Sequence, residues 1–347
     1  MNRFTQKLLA WYDTHKRDLP WRDCGDPYRI WISEIILQQT RIAQGTSYYL
    51  RFIEQWPDVE SLARAPEDEV MKAWEGLGYY SRARNLHFAA RQVVEKGGFP
   101  KDYDGVKALK GIGEYTAAAI CSMAYGLPYA AIDGNAYRVL GRVFAVEEPI
   151  DTIRGKRYYT QLAQQLMDAS QPGKFNQAVM DFGAMQCVPQ NPDCHSCPLS
   201  MLCAAHASGR VHAFPCKSKR LPIKERHFTY LYIIVANQAV LMHKRQDKDI
   251  WRGLCEPYLI ERTHAGENGL DNDFIQTLVR SAHAKLQPLR SGVKHVLTHR
   301  IIHADFHLLH VESLEAIPDG YELIPVKAFS QLALPVLVRQ NLPEALV

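Results

Sequence analysis

Four cysteines lie close together in the stretch CVPQNPDCHSCPLSMLC, at Cys187, Cys194, Cys197 and Cys203. Four thiolates in one short, proline-rich segment can surround a soft metal centre. Zinc sites usually pair two Cys-x-x-Cys knuckles, whereas this segment has only one, and iron-sulfur clusters accept irregular spacings. The spacing therefore predicts a metal site and leaves zinc and an iron-sulfur cluster as alternatives, with incidental buried thiols as the remaining explanation. We interpret the scattered cysteines as ordinary small residues: Cys24, Cys121, Cys216 and Cys255.

Two carboxylates have surroundings that suit acid-base chemistry. Glu34, in YRIWISEIILQQT, has Ile30, Trp31 and Leu37 among its helical neighbours. An apolar environment disfavours the charged carboxylate and raises its pKa, as a general acid requires. The alternative is a glutamate at the edge of the apolar stripe that reaches solvent. Asp133, in AAIDGNAYRVLGR, precedes a predicted helix, and an N-cap role alone would explain it.

A glycine-rich turn lies in LKGIGEYTAAAI, where Gly111 and Gly113 precede a predicted helix. Glycines allow the backbone to approach a ligand closely, and the free amides of a helix N-terminus suit a phosphate oxygen. A plain turn between two helices explains the same residues.

The elements that must position these groups fall into two halves. A chain of 347 residues suggests two domains, and 47% hydrophobic residues with a net charge of +4 suit a globular protein that permits a nucleic-acid partner. No segment approaches the roughly 20 apolar residues of a membrane span, so we expect a soluble, cytoplasmic protein. Residues 1–215 have helical periodicity; Asp26-Pro27 predicts a helix start and Gly126-Leu127-Pro128 a helix end.

The second half has strand patterning. Residues 216–226, CKSKRLPIKER, read as a basic linker. HFTYLYIIVANQAVLMHKR then predicts a hairpin with a break at Asn-Gln, and THRIIHADFHLLHVE predicts a further strand. We therefore expect an all-α domain followed by an α+β domain at 227–347. Four histidines near that last strand follow strand spacing, and we do not interpret them as a metal site: His295, His303, His307 and His310.

The order of these motifs resembles one family. SEIILQQT, GLGYYSRARN, LKGIGEYTA, AIDGNAYRVLGR and the spacing Cys-x6-Cys-x2-Cys-x5-Cys are similar to the helix-hairpin-helix (HhH-GPD) DNA glycosylases that carry one [4Fe-4S] cluster, and within them to the adenine glycosylase branch, the MutY family. The resemblance covers residues 1–215 closely and the remainder loosely. It implies an iron-sulfur cluster rather than zinc, and a phosphate anchor at the two hairpin glycines.

The resemblance also implies roles for the site residues. Glu34 matches the acid that protonates the adenine ring, and Asp133 matches the carboxylate that faces the oxocarbenium sugar or forms a transient covalent intermediate with it. Asn135 matches a residue that supports this centre. Tyr115 occupies the position where bifunctional relatives carry a nucleophilic lysine, so we expect base release without Schiff-base strand cleavage. The resemblance suggests an adenine pocket from Trp21, Arg22 and Gln177, although Trp21 is equally well explained as a core residue.

Base removal requires that the nucleotide leaves the stack. The resemblance places Leu77 and Tyr79 of GLGYY at the unstacked step, where ordinary apolar packing is the alternative, and Gln39 and Thr40 near the opposite base. The expected partner is double-stranded DNA with adenine opposite 8-oxoguanine or guanine, bound by a monomer that associates with the nucleoid through DNA.

The C-terminal half resembles the Nudix-like recognition domain of the same family. WRGLCEPYLI matches a characteristic Trp/Leu-rich loop, and the glutamate-rich box of Nudix hydrolases has no match, so we expect no pyrophosphatase activity. Relatives inspect 8-oxoguanine with Phe-Ser-His; this chain has Leu297, Thr298 and His299, so the phenylalanine is missing. Two other functions stay open: an endonuclease III-like glycosylase, and a catalytically silent iron-sulfur DNA-binding protein.

Overall fold

The structure is a computed structural model. It describes residues 1–22, 24–38, 40–218, 223–246, 249–264, 267, 269–270, 273–281, 286–297 and 299–346. Two predicted DNA-contact residues, Gln39 and Thr298, lie outside the described residues.

The first 215 residues are helical where described. The helices are α1 Arg3–His15, α2 Pro27–Leu37, α3 Ile42–Gln55, α4 Val59–Arg64, α5 Glu67–Ala73, α6 Ser81–Glu95, α7 Tyr103–Lys107, α8 Glu114–Tyr125, α9 Gly134–Val143, α10 Ile153–Leu166, α11 Pro172–Met185 and α12 Ala204–Ala207. Short 3-10 turns lie before and after α12, at Ser200–Leu202 and Val211–Ala213.

Local sequence explains where several helices begin and end. Asp26 caps α2, its carboxylate accepting from the Tyr28 amide at 2.9 Å, and Pro27 occupies the first turn. Gly126 ends α8 in the left-handed conformation, at φ 64°. Both predicted boundaries are confirmed. Side chains from α1, α9, α10 and α11 form one buried core, and α2 packs against α8.

The C-terminal half is built on a six-stranded mixed sheet of order β4-β5-β1-β3-β2-β6. The strands are β1 Lys224–Val235, β2 Ala239–Lys244, β3 Cys255–Arg262, β4 Gln287–Val296, β5 Arg300–Val311 and β6 Tyr321–Pro325. β1 and β2 form the predicted hairpin, with Ala236 and Asn237 at positive φ in its turn. β5 confirms the strand predicted from its alternation, and it runs parallel to β1. The fold class predicted from the sequence is therefore confirmed.

Apolar side chains cover both faces of this sheet. One face packs with the helix α14, Val336–Arg339, and the 3-10 turns Val326–Gln331 and Glu344–Leu346. The other face packs with the helix α13, Asp273–Ser281. Burial on two faces explains the near-continuous apolar run in β1.

Contacts divide the chain into two units that are not continuous in sequence. The first unit comprises residues 1–64 and 85–219, and the second comprises residues 65–84 and 220–347. Residues 65–84 lie in the second unit, where their side chains bond to residues 244–339. The domain limits 1–215, 216–226 and 227–347 stay a prediction.

Among the described residues, we find no helix that has both the length and the apolar character to cross a membrane.

Candidate active site

Helices α2, α3, α8, α9 and α11 and the loop between α1 and α2 line an open cavity of about 720 Å³ in the first unit. Its walls include Glu34 from α2, Tyr115 from the first turn of α8, Asp133 from the start of α9 and Gln177 from α11. The packing of α2 against α8 and of α11 against α8 and α9 brings together residues far apart in sequence. The two predicted carboxylates therefore face one cavity.

The surroundings of Glu34 raise the pKa of its carboxyl group to near neutral pH. It is partly buried among apolar α2 residues, and the Tyr115 hydroxyl donates to its Oε2 at 2.5 Å. Burial raises the pKa of Glu34 to about 7, the Tyr115 hydrogen bond opposes this rise, and the charge of Asp133 adds to it. A substantial fraction of Glu34 is consequently protonated near neutral pH, as a general acid requires.

Asp133 has a different environment from Glu34. Its Oδ1 accepts from the Ala136 amide at 2.7 Å, and its Oδ2 accepts from Nδ2 of Asn135 at 2.6 Å. Burial raises the pKa of Asp133, while these hydrogen bonds favour its charged form and oppose the rise. The N-cap role predicted from sequence is present, and it leaves the carboxylate on the cavity wall.

Arg138 connects this carboxylate to the cysteine segment. Its Nη2 donates to Oδ1 of Asn135 at 2.7 Å and to the Gly183 carbonyl at 2.7 Å, and its Nε donates to the Cys187 carbonyl at 2.8 Å. Asn135 in turn donates to Asp133. Arg138 was not predicted from the sequence, because its position on α9 carries no signal for partners 45 to 49 residues away.

The predicted adenine-pocket residues all lie on the cavity wall. Trp21 is buried and packs edge-on against Tyr49, so it also serves the core. Both terminal nitrogens of Arg22 donate to Asp181, at 2.7 and 2.9 Å, and Gln177 accepts from the Tyr12 hydroxyl at 2.7 Å. Arg22 and Gln177 therefore have hydrogen-bond partners within the protein and also line the cavity.

Asp181 is a second residue that the sequence analysis missed. Its side chain is fully buried and accepts from Arg17 as well as Arg22, and these partners hold the pKa of Asp181 below its usual range despite burial. A carboxylate within the apolar run of α11 could have signalled a buried ion pair.

The four clustered cysteines line one small cavity between α9, α11 and the segment that follows. All are free thiols, so none is committed to a disulfide. Nη1 of Arg142 lies 3.4 Å from Sγ of Cys187 and also donates to the Val188 carbonyl at 2.7 Å. Four thiols around one space match the donor set of an iron-sulfur cluster, so the residues present fit that group. No group of three or more histidines, cysteines or acidic residues within the described part of the chain is arranged to hold a single metal ion.

Two family descriptions match the chain. Residues 32–171 match "HhH-GPD superfamily base excision DNA repair protein", and residues 229–343 match "NUDIX domain". A protein named adenine DNA glycosylase from Buchnera aphidicola subsp. Baizongia pistaciae is 32% identical over 306 residues, which cover 85% of this chain and 83% of that protein. The chain belongs to the adenine DNA glycosylase family.

Other relatives match over shorter regions. The rat protein named adenine DNA glycosylase is 43% identical over 226 residues, which cover 61% of this chain. The match spans only 44% of the rat protein, so the chain covers less than half the length of this relative. A solved thermostable thymine-DNA glycosylase has a TM-score of 0.55 at 31% identity, covering 59% of this chain and 95% of that chain. A non-covalent complex of endonuclease III with DNA has a TM-score of 0.52 at 22% identity, covering 59% and 94%, and supports the fold alone.

The predicted phosphate anchor precedes α8. Gly111 has φ 79°, and a Cβ atom there would lie 2.7 Å from Cβ of Asn85, so this turn requires glycine. Gly113 occupies the N-cap position with open space around it, and no side chain from the described residues caps the helix. The backbone amides of this turn therefore suit a phosphate oxygen.

The remaining predicted contacts are spread over both units. Thr40 lies on the wall of the cavity. Leu77 and Tyr79 belong to the second unit; Leu77 is only 8% exposed, whereas Tyr79 is 45% exposed and has φ 49°. Leu297 packs against the core of the sheet, and His299 is exposed.

Proposed function

We propose that the chain is a monofunctional DNA glycosylase that hydrolyses the N-glycosidic bond of adenine mispaired with 8-oxoguanine or guanine. The observation that carries this proposal is the pair of carboxylates on one cavity wall. Burial raises the pKa of Glu34 to about 7. Burial also raises the pKa of Asp133, but hydrogen bonds from Asn135 and the Ala136 amide oppose this rise and favour its charged form. One neutral acid and one anion are the two partners that cleavage of a glycosidic bond requires.

Glu34 acts as the acid. Its proton passes to a ring nitrogen of adenine, so the bond between the sugar and the base breaks with the bonding electrons on a neutral leaving group. Tyr115 fixes the carboxyl group through its 2.5 Å hydrogen bond and holds the acid in one orientation.

Asp133 stabilises the positive charge that develops on the sugar, or bonds transiently to its anomeric carbon. Water then adds to that carbon and loses a proton, which leaves an abasic site. Asn135 and the Ala136 amide hold the carboxylate of Asp133 in place during this step.

Tyr115 favours this reaction over strand cleavage. The phenol of Tyr115 has no amine nitrogen, so it cannot form the Schiff base that a lysine forms. The same residue argues against the endonuclease III-like alternative, and the paired carboxylates argue against a catalytically silent DNA-binding protein.

One [4Fe-4S] cluster is proposed for the site formed by Cys187, Cys194, Cys197 and Cys203, which would hold it through their four thiolates. When bound, the cluster supplies folding energy to the segment and no step of the reaction. Arg142 satisfies the carbonyls of Val188 and Pro189, at 2.7 and 2.8 Å, and so orients the segment.

The DNA contacts extend the proposal to the whole chain. The turn at Gly111 and Gly113 binds a backbone phosphate, Leu77 and Tyr79 lie at the unstacked step, and Gln39 and Thr40 approach the opposite base. The C-terminal domain inspects 8-oxoguanine with Thr298 and His299, while Leu297 replaces the phenylalanine of relatives. The protein acts on double-stranded DNA as a monomer.

Single-turnover adenine release from duplexes with adenine opposite 8-oxoguanine, guanine or thymine tests this function. We expect release to be fastest opposite 8-oxoguanine and strand breaks to appear only after alkali. Glu34→Gln should release no adenine while it still binds DNA. Strand breaks without alkali would contradict the monofunctional mechanism, and absence of adenine release from every duplex by protein with a full iron content would overturn the proposal.

A further inference from the structure

Residues 76–80, which we name the glycine loop, have an unusual backbone in the second unit. Gly76, Gly78 and Tyr79 all have positive φ, at 93°, 68° and 49°. A tyrosine in the left-handed region is uncommon and persists only where surrounding contacts enforce it. In this loop the ring of Tyr79 is exposed and the side chain of Leu77 is buried.

Contacts within the segment account for part of this shape. Nη2 of Arg82 donates to the carbonyls of Leu77 and Gly78 at 3.3 and 3.2 Å, and Nε1 of Trp74 donates to the Gly78 carbonyl at 3.1 Å. The guanidinium of Arg82 also lies over the rings of Trp74 and Tyr79. These contacts hold the second half of the loop.

The first half of the loop bonds to the C-terminal part of the same unit. The Tyr80 hydroxyl donates to the Leu334 carbonyl at 3.3 Å and accepts from the Gly76 amide at 3.4 Å. Arg339 forms an ion pair with Glu75, the residue directly before the loop. Lys72 adds a hydrogen bond to the Leu332 carbonyl at 3.0 Å and an ion pair with Glu75 at 3.0 Å.

Residues 332–339, which we name the C-terminal anchor, are themselves fixed to the sheet. Leu334, Leu337 and Val338 are buried in the core on one sheet face. The Tyr232 hydroxyl of β1 donates to the Val338 carbonyl at 3.2 Å. The anchor therefore connects the sheet to the glycine loop through packing and hydrogen bonds.

Both flanks of the loop segment have further bonds to the sheet region. Asp68 pairs with Lys244 of β2 at 2.6 Å, and Arg84 donates to the Arg252 carbonyl. Gly253 leaves the space that this arginine occupies, since a Cβ atom there would lie 2.8 Å from Nη1 of Arg84. The segment is thus held before, within and after the loop.

We propose that the C-terminal anchor sets the conformation in which the glycine loop unstacks DNA, with Arg339 and Tyr80 as its positioning residues. The inference rests on the proposed glycosylase function and adds to it a role for the C-terminal domain besides lesion inspection. The sheet thereby controls base unstacking through two contacts. They are the ion pair of Arg339 with Glu75 and the hydrogen bond from the Tyr80 hydroxyl to the Leu334 carbonyl.

The test uses the full-length protein carrying Arg339→Ala or Tyr80→Phe, with Arg280→Ala on α13 as a control for loss of an exposed arginine in the same unit. 2-Aminopurine placed next to the mispaired adenine reports unstacking by its fluorescence. Single-turnover adenine release, DNA affinity and the melting temperature are measured in parallel. We expect both variants to unstack DNA and release adenine about tenfold to a hundredfold more slowly, since small misplacements have effects of this size, with little change in melting temperature.

A double-mutant cycle makes the test specific. In a Tyr79→Ala background, Arg339→Ala should have little further effect on unstacking, because the loop residue that the anchor positions is gone. The inference would be overturned if the effects of Arg339→Ala and Tyr79→Ala were fully additive, or if both anchor variants unstacked DNA at the parental rate. In either case, adenine release by the parent protein would still support the proposed function. If the parent protein neither unstacks DNA nor releases adenine, the proposed function itself fails. Tyr80→Phe keeps the buried ring and so provides the test if Arg339→Ala does not fold.

Discussion

The hydroxyl of Tyr115 donates a 2.5 Å hydrogen bond to Oε2 of Glu34. This bond favours the charged carboxylate, whereas burial and the charge of Asp133 favour the neutral acid. Burial dominates, and the pKa of Glu34 is raised to about 7. The Tyr115 hydrogen bond thus limits the rise in the pKa of Glu34 that burial causes.

The rate of adenine release should depend on the protonated fraction of Glu34. Above about pH 7 the rate should fall roughly tenfold for each pH unit, because only the neutral carboxyl group donates a proton. Tyr115→Phe removes a hydrogen bond that lowers the pKa of Glu34. The fall in rate on the alkaline side of the pH–rate profile should therefore move to higher pH. Single-turnover rates between about pH 6 and pH 9 measure both effects. If the rate fell at the same pH in the parent and in Tyr115→Phe, Tyr115 would not tune the pKa of Glu34.

The same raised pKa has a consequence for stability. The folded protein binds the Glu34 proton more tightly than the unfolded chain, so stability due to this group is present at low pH and is lost as pH rises from about 4.5 to about 7. Glu34→Gln should therefore be more stable than the parent above pH 7, by about 3 kcal/mol, and similar to it near pH 4.5. Urea unfolding at the two pH values gives the comparison, and an equal difference at both would contradict a raised pKa.

Asp133 combines a capping role with a proposed chemical role, and two substitutions separate them. Asp133→Asn keeps an oxygen that can accept from the Ala136 amide, so we expect near-parental stability and no adenine release. Asp133→Ala removes the cap as well and should lower the free energy of unfolding by about 1 kcal/mol. Denaturant unfolding and single-turnover kinetics distinguish the two effects. Parental activity in Asp133→Asn would remove the proposed stabilisation of the sugar cation.

Arg138 should support catalysis from outside the reacting atoms. Arg138→Ala removes the bonds to Asn135 and to the Cys187 carbonyl, so we expect about a tenfold to hundredfold lower single-turnover rate from misplacement of Asp133. DNA affinity should change little, and Arg157→Ala, at an exposed position on α10, is the control. If iron content falls in proportion to activity, Arg138 acts on the cysteine segment rather than on the carboxylate.

The cysteine segment should require all four thiols. Cys197→Ser should lose iron, acid-labile sulfide and visible absorbance, and should unfold more readily because binding energy of the cluster is folding energy. Cys24→Ser, at an exposed cysteine outside the segment, should retain all three signals. Full iron in Cys197→Ser would contradict a cluster held by the four residues.

Local chemistry made parts of this structure predictable. The start of α2 at Asp26-Pro27 and the end of α8 at Gly126 depend on residues next to one another, as does the β1–β2 hairpin. The apolar stripe around Glu34 also indicated its raised pKa correctly.

Long-range pairing explains what the sequence did not reveal. Asp181 meets Arg17 across 164 residues, and Arg138 meets the Cys187 carbonyl across 49. The assignment of residues 65–84 to the second unit depends on partners such as Leu332 and Leu334. Such contacts depend on how helices and strands pack, and neither periodicity nor capping patterns encode them.

The glycine loop has a further consequence for synthesis of the chain. Lys72 and Tyr80 bond to backbone carbonyls that lie 260 and 254 residues later. At ribosomal speed this separation corresponds to roughly 10–50 s. During that interval the segment has emerged without its final neighbours, so the loop should acquire its native shape only after translation has reached the C-terminal anchor.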